Sequence, residues 1–294
     1  MNSHGGAVGL GSREWLRRLG WATLVANIGI VLTGGAVRLT ASGLGCPTWP
    51  RCTDESFTPH GALDFHSAIE FGNRTLTFVL AAIAVATFVT AWPSGRRDLR
   101  VLALWLGLGV PAQALVGGLT VLTDLNPWIV SFHLLVSLAI ISLAVLYLHR
   151  IDMPRPTRPV STRHAVLAWT TYAVTWVVLY LGTVVTGSGP HAGDVDVPRN
   201  GLDPLLLSQL HADFVFLLVG LTVALVIVHP SRATWTLLGV ELAQGLVGFV
   251  QYFNDLPVVL VGFHLLGAAL IAAASTWMVI VVSGPVPARA DPSL

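Results

Sequence analysis

Apolar residues along the chain fall into eight long runs separated by short polar segments. These runs lie near residues 19–38, 68–92, 101–123, 128–149, 165–186, 206–228, 233–253 and 257–283. Each run is long enough for an α-helix that crosses a bilayer, which needs about 20 residues. The pattern therefore predicts an all-α membrane protein with eight transmembrane helices.

The composition agrees with this class of protein. Hydrophobic residues make up 54% of the 294 residues and charged residues only 11%, with a mean hydropathy of +0.73. A soluble domain carries about 25% charged residues. The formal net charge is +1 and the charges are scattered between apolar runs rather than gathered in one patch, so the charge pattern does not indicate nucleic acid, and no nucleic-acid partner is expected.

Arginines are concentrated in alternate connecting segments. They precede the first run and follow the second, fourth, sixth and eighth runs, as Arg13, Arg17, Arg18, Arg96, Arg97, Arg100, Arg150, Arg155, Arg158, Arg163, Arg232 and Arg289. The other connecting segments hold most of the acidic residues. Because arginine-rich segments stay in the cytoplasm, both termini are predicted to be cytoplasmic.

The two halves of the chain repeat each other. Gln113–Leu135 aligns without a gap on Gln244–Leu266, which pairs His133 with His264. Four predicted helices separate the copies, so both halves have the same orientation, and this is a parallel repeat.

The repeat predicts two pseudo-symmetric four-helix bundles, each with its own interior. We assign residues 1–150 to an N-terminal bundle and residues 164–294 to a C-terminal bundle. The Pro- and Arg-rich segment 151–163 is the predicted cytoplasmic linker between them.

Histidines inside the predicted helices are candidate metal ligands. Ionisable groups within a membrane span usually face the bundle interior, and a neutral imidazole is a common axial ligand of heme iron. His211 and His264 lie in one half at similar depth on different helices, so they are predicted to bind one heme iron from opposite sides. The alternative is that each histidine only makes a hydrogen bond between helices.

The first half is predicted to bind a heme less firmly. His133 is its one clear ligand, because the position that corresponds to His211 is occupied by Asn73, and an amide is a weak ligand for heme iron. This asymmetry predicts one heme that is held permanently and one that is exchanged.

Glu70 lies in the outer part of the second predicted helix, on roughly the same face as Asn73. One interpretation is a structural ion pair with Arg74. The other is a carboxylate that handles protons or positions water beside the porphyrin, as catalytic carboxylates do.

Cys46 and Cys52 are the only cysteines, and both lie in the first predicted outer segment. Outside the cytoplasm paired thiols tend to oxidise, so the main interpretation is a structural disulfide. A redox-active pair is the alternative, although the spacing differs from that of thioredoxin-like CxxC motifs.

Several motifs together resemble the heme A synthase family. They are GGAVRLTASGLGCPTWPRC after the first run, AIEFGNR in the second, and SFHLL and GFHLL in the fourth and eighth. The likeness extends over nearly the whole chain. It implies a bacterial plasma-membrane enzyme of eight helices that oxidises a methyl group of heme O to a formyl group.

The resemblance also implies roles for individual residues. The C-terminal bundle would hold heme b through His211 and His264, and the N-terminal bundle would accept heme O as substrate. Glu70 matches the glutamate required for oxidation, and Cys46 and Cys52 match the paired loop cysteines. The electron acceptor is not encoded visibly, and the enzyme that produces heme O is a candidate partner.

The chain departs from the family pattern at two places. Many members have a histidine where this chain has Asn73, and some have a second cysteine pair in the segment that here reads GSGPHAGDVDVPRNGLDP. The first departure leaves the coordination of the substrate heme open.

Three other classes of protein are alternatives. A di-heme b-type electron-transfer protein needs two bis-ligated hemes, and Asn73 counts against it. A thiol–disulfide oxidoreductase explains neither the histidines nor Glu70. A transporter is compatible with a parallel repeat, but no charge is evident near the middle of a predicted span.

Overall fold

The computed structural model describes residues 9–59, 65–153, 162–194 and 196–284. Within these ranges every regular element is an α-helix. The eight helices are α1 (Arg13–Leu39), α2 (Phe65–Ala91), α3 (Arg97–Leu122), α4 (Pro127–Asp152), α5 (Thr162–Ser188), α6 (Pro204–Val228), α7 (Arg232–Phe253) and α8 (Val258–Ser283). All eight are long and apolar enough to cross a membrane, which confirms the predicted fold class.

The helix ends follow from capping residues rather than from the limits of the apolar runs. Helix α1 begins at Arg13, before the apolar run, because the Ser12 hydroxyl accepts a hydrogen bond from the backbone N–H of Trp15. Ser231 and Thr234 form a reciprocal capping box at the start of α7. These polar caps place the helix starts outside the apolar runs of the sequence.

Large apolar side chains cover the outer surface. Phe78, Ile227 and Phe253 are each about three-quarters exposed, at 76, 74 and 76%. A surface this apolar is suited to lipid rather than to water. The chain is thus a multi-pass membrane protein.

Each half of the chain forms a closed ring of four helices. In the first half α1 and α3 each contact α2 and α4, and in the second half α5 and α7 each contact α6 and α8. Helices α2 and α4 are therefore diagonal in the N-terminal bundle, as α6 and α8 are in the C-terminal bundle. This arrangement places side chains from the two diagonal helices across one interior.

The contacts between the bundles are symmetric. Helix α4 contacts α8, α1 contacts α8, and α4 contacts α5. Exchanging every helix for its counterpart four places along the chain leaves this set unchanged, which is the relationship expected of a parallel repeat about one axis.

The repeat extends to the turns that precede α4 and α8. Asp124 and Leu125 have φ of 49° and 55°, and Asp255 and Leu256 have φ of 58° and 56°. Left-handed backbone is uncommon for residues other than glycine, so its occurrence at matching positions reflects the same local fold. These turns set the start of the two helices that carry His133 and His264.

Candidate functional site

The segment between α1 and α2 is closed by a disulfide. Cys46 and Cys52 are bonded and almost fully buried, at 0 and 1% exposure. Trp49, inside the closed loop, packs against Gly118 of α3, where any side chain would collide with the indole ring. We call residues 46–52 the disulfide loop, and call the end of the bundles where it lies the disulfide-loop end.

Glu70 fastens this loop to α2. Its Oε2 atom accepts a hydrogen bond from the backbone N–H of Cys46 at 2.5 Å, and its Oε1 atom accepts from Nε of Arg74 at 3.1 Å. Glu70 is only 4% exposed. The ion pair of Glu70 with Arg74, one of the two interpretations from the sequence, is therefore present. The additional hydrogen bond from the Cys46 backbone was not predicted.

Arg74 binds the disulfide loop as well. Its guanidinium donates to the backbone carbonyls of Cys46 at 2.8 Å, Thr48 at 2.9 Å and Arg51 at 3.1 Å. Hydrogen bonds between charged groups and buried partners are stronger than neutral ones. Glu70 and Arg74 together hold the loop at the mouth of the N-terminal bundle.

His211 on α6 and His264 on α8 come from the diagonal helices of the C-terminal bundle. The Nδ1 atom of each ring is buried and has no hydrogen-bond partner within the described part of the chain.

Glycines leave room for these two rings. An added Cβ at Gly182 of α5 would lie 3.2 Å from Cε1 of His211, and one at Gly248 of α7 would lie 3.2 Å from Cε1 of His264. Two neutral imidazoles in one bundle fit the axial positions of an iron porphyrin. The donor set therefore suits a bis-histidine heme.

His133 occupies the equivalent position in the N-terminal bundle. Its Nδ1 atom is also buried without a partner, and an added Cβ at Gly117 of α3 would lie 3.4 Å from its Cε1. On the diagonal helix α2, the Oδ1 atom of Asn73 accepts a hydrogen bond from the Thr33 hydroxyl at 2.8 Å. The first half thus has one imidazole, that of His133, and one amide, that of Asn73, whose oxygen already accepts a hydrogen bond.

A glutamine supports each repeated histidine. Gln113 Nε2 donates to the backbone carbonyl of His133 at 3.1 Å, and Gln244 Nε2 donates to that of His264 at 2.6 Å. The sequence repeat is therefore a repeat of contacts, and it fixes helices α4 and α8 against α3 and α7 at the level of the histidines.

Other histidines near the disulfide-loop end have polar partners. Nδ1 of His66 lies 3.0 Å from the Ser42 hydroxyl, and Nε2 of His191 donates to the carbonyl of Leu256 at 2.9 Å. Arg38 of α1 binds the backbone of the second half, through the carbonyls of His191 and Thr186. The Arg38 contacts join the two halves, whereas each of the two histidine contacts lies within one half.

Glu241 was missed by the reasoning from sequence. It lies near the middle of α7, is 3% exposed, and accepts a hydrogen bond from the Thr222 hydroxyl at 2.9 Å. The prediction that no charged residue lies near the middle of a span is therefore wrong at Glu241. A single ionisable residue within an apolar run was the available signal.

The fold is that of a membrane protein with two four-helix rings, in which His133 of the first ring and His211 and His264 of the second have buried Nδ1 atoms. The model of the COX15-CtaA family, described as cytochrome oxidase assembly protein, matches residues 17–193. The chain belongs to this family.

Curated relatives carry the name heme A synthase. The protein of Bradyrhizobium sp. (strain BTAi1 / ATCC BAA-1182) is 31% identical over 211 residues, covering 57% of this chain and 56% of the relative. That of Geobacillus kaustophilus (strain HTA426) is 34% identical over 106 residues, covering 35 and 32%. That of Bacillus cereus (strain AH187) is 26% identical over 259 residues, covering 84 and 78%. The chain thus spans about half the length of the Bradyrhizobium relative.

Proposed function

We propose that this protein is a heme A synthase, which oxidises a methyl group of heme O to a formyl group. The observation that carries the proposal is the pair His211 and His264, which lie on diagonal helices of one bundle and have unpaired ring nitrogens. The name shared by the curated relatives supports the same activity.

The two bundles have different proposed roles. The C-terminal bundle, assigned to residues 164–294, holds heme b through His211 and His264. The N-terminal bundle, residues 1–150, accepts heme O through His133 alone. A single strong ligand suits a substrate that must leave after reaction, because weaker coordination favours release.

The N-terminal bundle supplies positioning and proton transfer. A ring methyl is oxidised by removal of electrons and protons and addition of an oxygen atom, and bound heme b supplies a one-electron redox centre for this chemistry. The disulfide loop, held by Glu70 and Arg74, covers the pocket and limits water. Glu70 is the carboxylate proposed to accept a proton from an attacking water.

We also propose that the protein lies in the bacterial plasma membrane with both termini in the cytoplasm. The arginine-rich segments, including the linker 151–163, would then face inward, and the disulfide loop would face the oxidising side. The electron acceptor is unidentified, and the enzyme that produces heme O is a proposed partner.

A di-heme b-type electron-transfer protein is the second candidate. The paired histidines favour it in the C-terminal bundle. In the N-terminal bundle Asn73 is bonded to Thr33 and does not provide a second strong ligand, which argues against two permanently bound hemes.

Pigment analysis of cells that make heme O but lack their own heme A synthase tests the proposal. Expression of the wild-type protein should yield a formyl-bearing heme. His133→Ala should abolish this product while heme b remains, and His264→Ala should abolish both the product and the low-spin heme b spectrum. Purified protein with two hemes and no formyl product would instead identify an electron-transfer protein.

A further inference from the structure

Glu241 of α7 is a buried carboxyl that the proposed function does not use. Its Oε1 atom accepts a hydrogen bond from Thr222 of α6, which is itself 0% exposed. Its Oε2 atom is buried and has no hydrogen-bond partner among the residues that the structure describes. An ionisable group with an unpaired oxygen within a membrane span is costly, and such groups commonly mark proton or ion chemistry.

The acid occurs in only one copy of the repeat. The alignment that pairs Gln113 with Gln244 places Val110 of α3 opposite Glu241. The same pairs of neighbouring helices are in contact in both bundles, and the N-terminal bundle forms the corresponding contact with a valine instead of an acid. Glu241 therefore occurs in the half of the chain that also contains the pair His211 and His264.

An apolar core closes the bundle beyond Glu241, on the side away from the disulfide loop. Leu225 of α6 and Leu237 of α7 belong to this core and are both 0% exposed. The carboxyl therefore lies between this core and the histidine pair. Along α6, Thr222 is 11 residues from His211 (222 − 211), which corresponds to about 16 Å of helix.

Few other charged groups lie on the elements that pack against α7. Helix α6 carries His211 and Asp213 near its start and is followed by His229, and α8 carries His264. On α7 itself the other ionisable residues are Arg232 and Tyr252, at its two ends. Glu241 is the single carboxyl at mid-depth among the described residues of α6, α7 and α8.

We propose that Glu241 takes up a proton when the heme of the C-terminal bundle is reduced. This inference rests on the proposed binding of that heme by His211 and His264. An external one-electron donor converts ferric to ferrous iron, and the Glu241 carboxylate gains one proton from the aqueous phase and becomes a carboxylic acid. The added negative charge is thereby balanced within the bundle.

The separation is short enough for this coupling. At about 16 Å, the length of α6 between Thr222 and His211, two unit charges in a medium with an effective dielectric constant of about 20 change each other's proton affinity about fivefold. The Thr222 hydroxyl stabilises the carboxylate by donation, and the unpaired Oε2 atom is the position available to the proton.

The test is a redox titration of the purified full-length protein in lipid nanodiscs over a series of pH values. The midpoint potential of the low-spin heme should fall as pH rises in the wild type, and this dependence should be lost or strongly reduced in Glu241→Gln. Glutamine keeps the size of the side chain and can still accept the Thr222 hydrogen bond. Equal pH dependence in both proteins would overturn the proposal.

Thr222→Val is the matched control, because it removes the hydrogen bond and keeps the carboxyl. It should retain the pH dependence of the potential. A Thr222→Val protein with normal heme content but no pH dependence would assign the effect to the hydroxyl and overturn the role of Glu241.

Infrared difference spectra provide a second measurement that does not depend on the folding of a variant. Reduction of the wild type should produce a carboxylic-acid C=O band that shifts in heavy water, and Thr222→Val should move this band. Absence of such a band would overturn the proposal. Failure of the wild type to bind any heme would instead refute the proposed heme site itself, so the two failures are distinguishable.

Discussion

The carboxylate of Glu70 binds the backbone N–H of Cys46, with 2.5 Å between Oε2 and the nitrogen. This contact joins the first cysteine of the disulfide loop to α2, the helix that also carries Asn73. The loop position and the carboxylate position therefore depend on each other. A change at Glu70 therefore affects the position of the loop as well as the proposed proton transfer.

Glu70→Gln should disturb the disulfide loop and abolish formation of heme A. An amide has one oxygen, whereas Glu70 uses both of its oxygens to accept hydrogen bonds from Cys46 and Arg74. One of these donors would then face an NH₂ group, and a buried donor without an acceptor costs about 1–3 kcal/mol. The measurement is the ratio of heme A to heme b in extracted pigment.

Arg74→Gln separates the two roles of Glu70. It removes three hydrogen bonds to loop carbonyls and the ion pair with Glu70, but it keeps the Glu70 carboxylate and the hydrogen bond of this carboxylate to Cys46. If Glu70 handles a proton, Glu70→Gln should lose at least about tenfold more heme A than Arg74→Gln. Equal losses would reduce Glu70 to a residue that positions the loop.

Replacing both Cys46 and Cys52 with serine should destabilise the N-terminal bundle by about 2 kcal/mol, the loop-closure value for so short a loop. The cysteines are six residues apart, and Glu70 and Arg74 would still hold the loop. Thermal unfolding should therefore shift modestly while heme b content stays unchanged. Complete loss of heme A in a folded double variant that retains both hemes would favour a redox role.

The sequence was sufficient for the helices and for the repeat. Hydrophobic length predicts the eight spans directly, and the aligned Gln113 and Gln244 proved to make the same hydrogen bond to the following histidine helix. The ion pair of Glu70 with Arg74 follows from their spacing of one helical turn. These features depend on local or repeated sequence.

The contacts of the disulfide loop depended on the fold. Trp49 packs on Gly118, and Glu70 reaches the amide of Cys46, although each pair is distant in sequence. No local pattern specifies such pairs, because the loop conformation results from packing against two helices. The contact of Glu241 with Thr222 also joins two different helices, although the acidic residue within an apolar run is visible in the sequence itself.

Filling the space beside His264 should weaken heme b binding. An added Cβ at Gly248 would lie 3.2 Å from Cε1 of His264, which is closer than ordinary contact, so the ring must move. Gly248→Ala should lower heme b content slightly and Gly248→Val several-fold, as measured by pyridine hemochrome. Gly245→Val on the same helix is the control, because nothing lies within 4 Å of its added Cβ. An equal loss in both valine variants would show that helix α7 itself had been disturbed.

Asn73→His should convert the N-terminal site into a second bis-histidine site. Asn73 lies on α2, diagonal to His133 on α4, at the repeat position of His211. Its oxygen binds Thr33, so the native side chain is engaged with α1 and offers the iron only a weak amide. An imidazole there would add a strong axial ligand. The absorption spectrum of the purified variant should show more low-spin heme per protein, and the substrate heme should dissociate more slowly.

Asn73→Gln, which keeps an amide, should leave the spectrum as in the wild type. If Asn73→His gained no low-spin heme while the C-terminal heme remained intact, Asn73 would not face the iron held by His133, and the proposed substrate site would have to be placed elsewhere in the bundle.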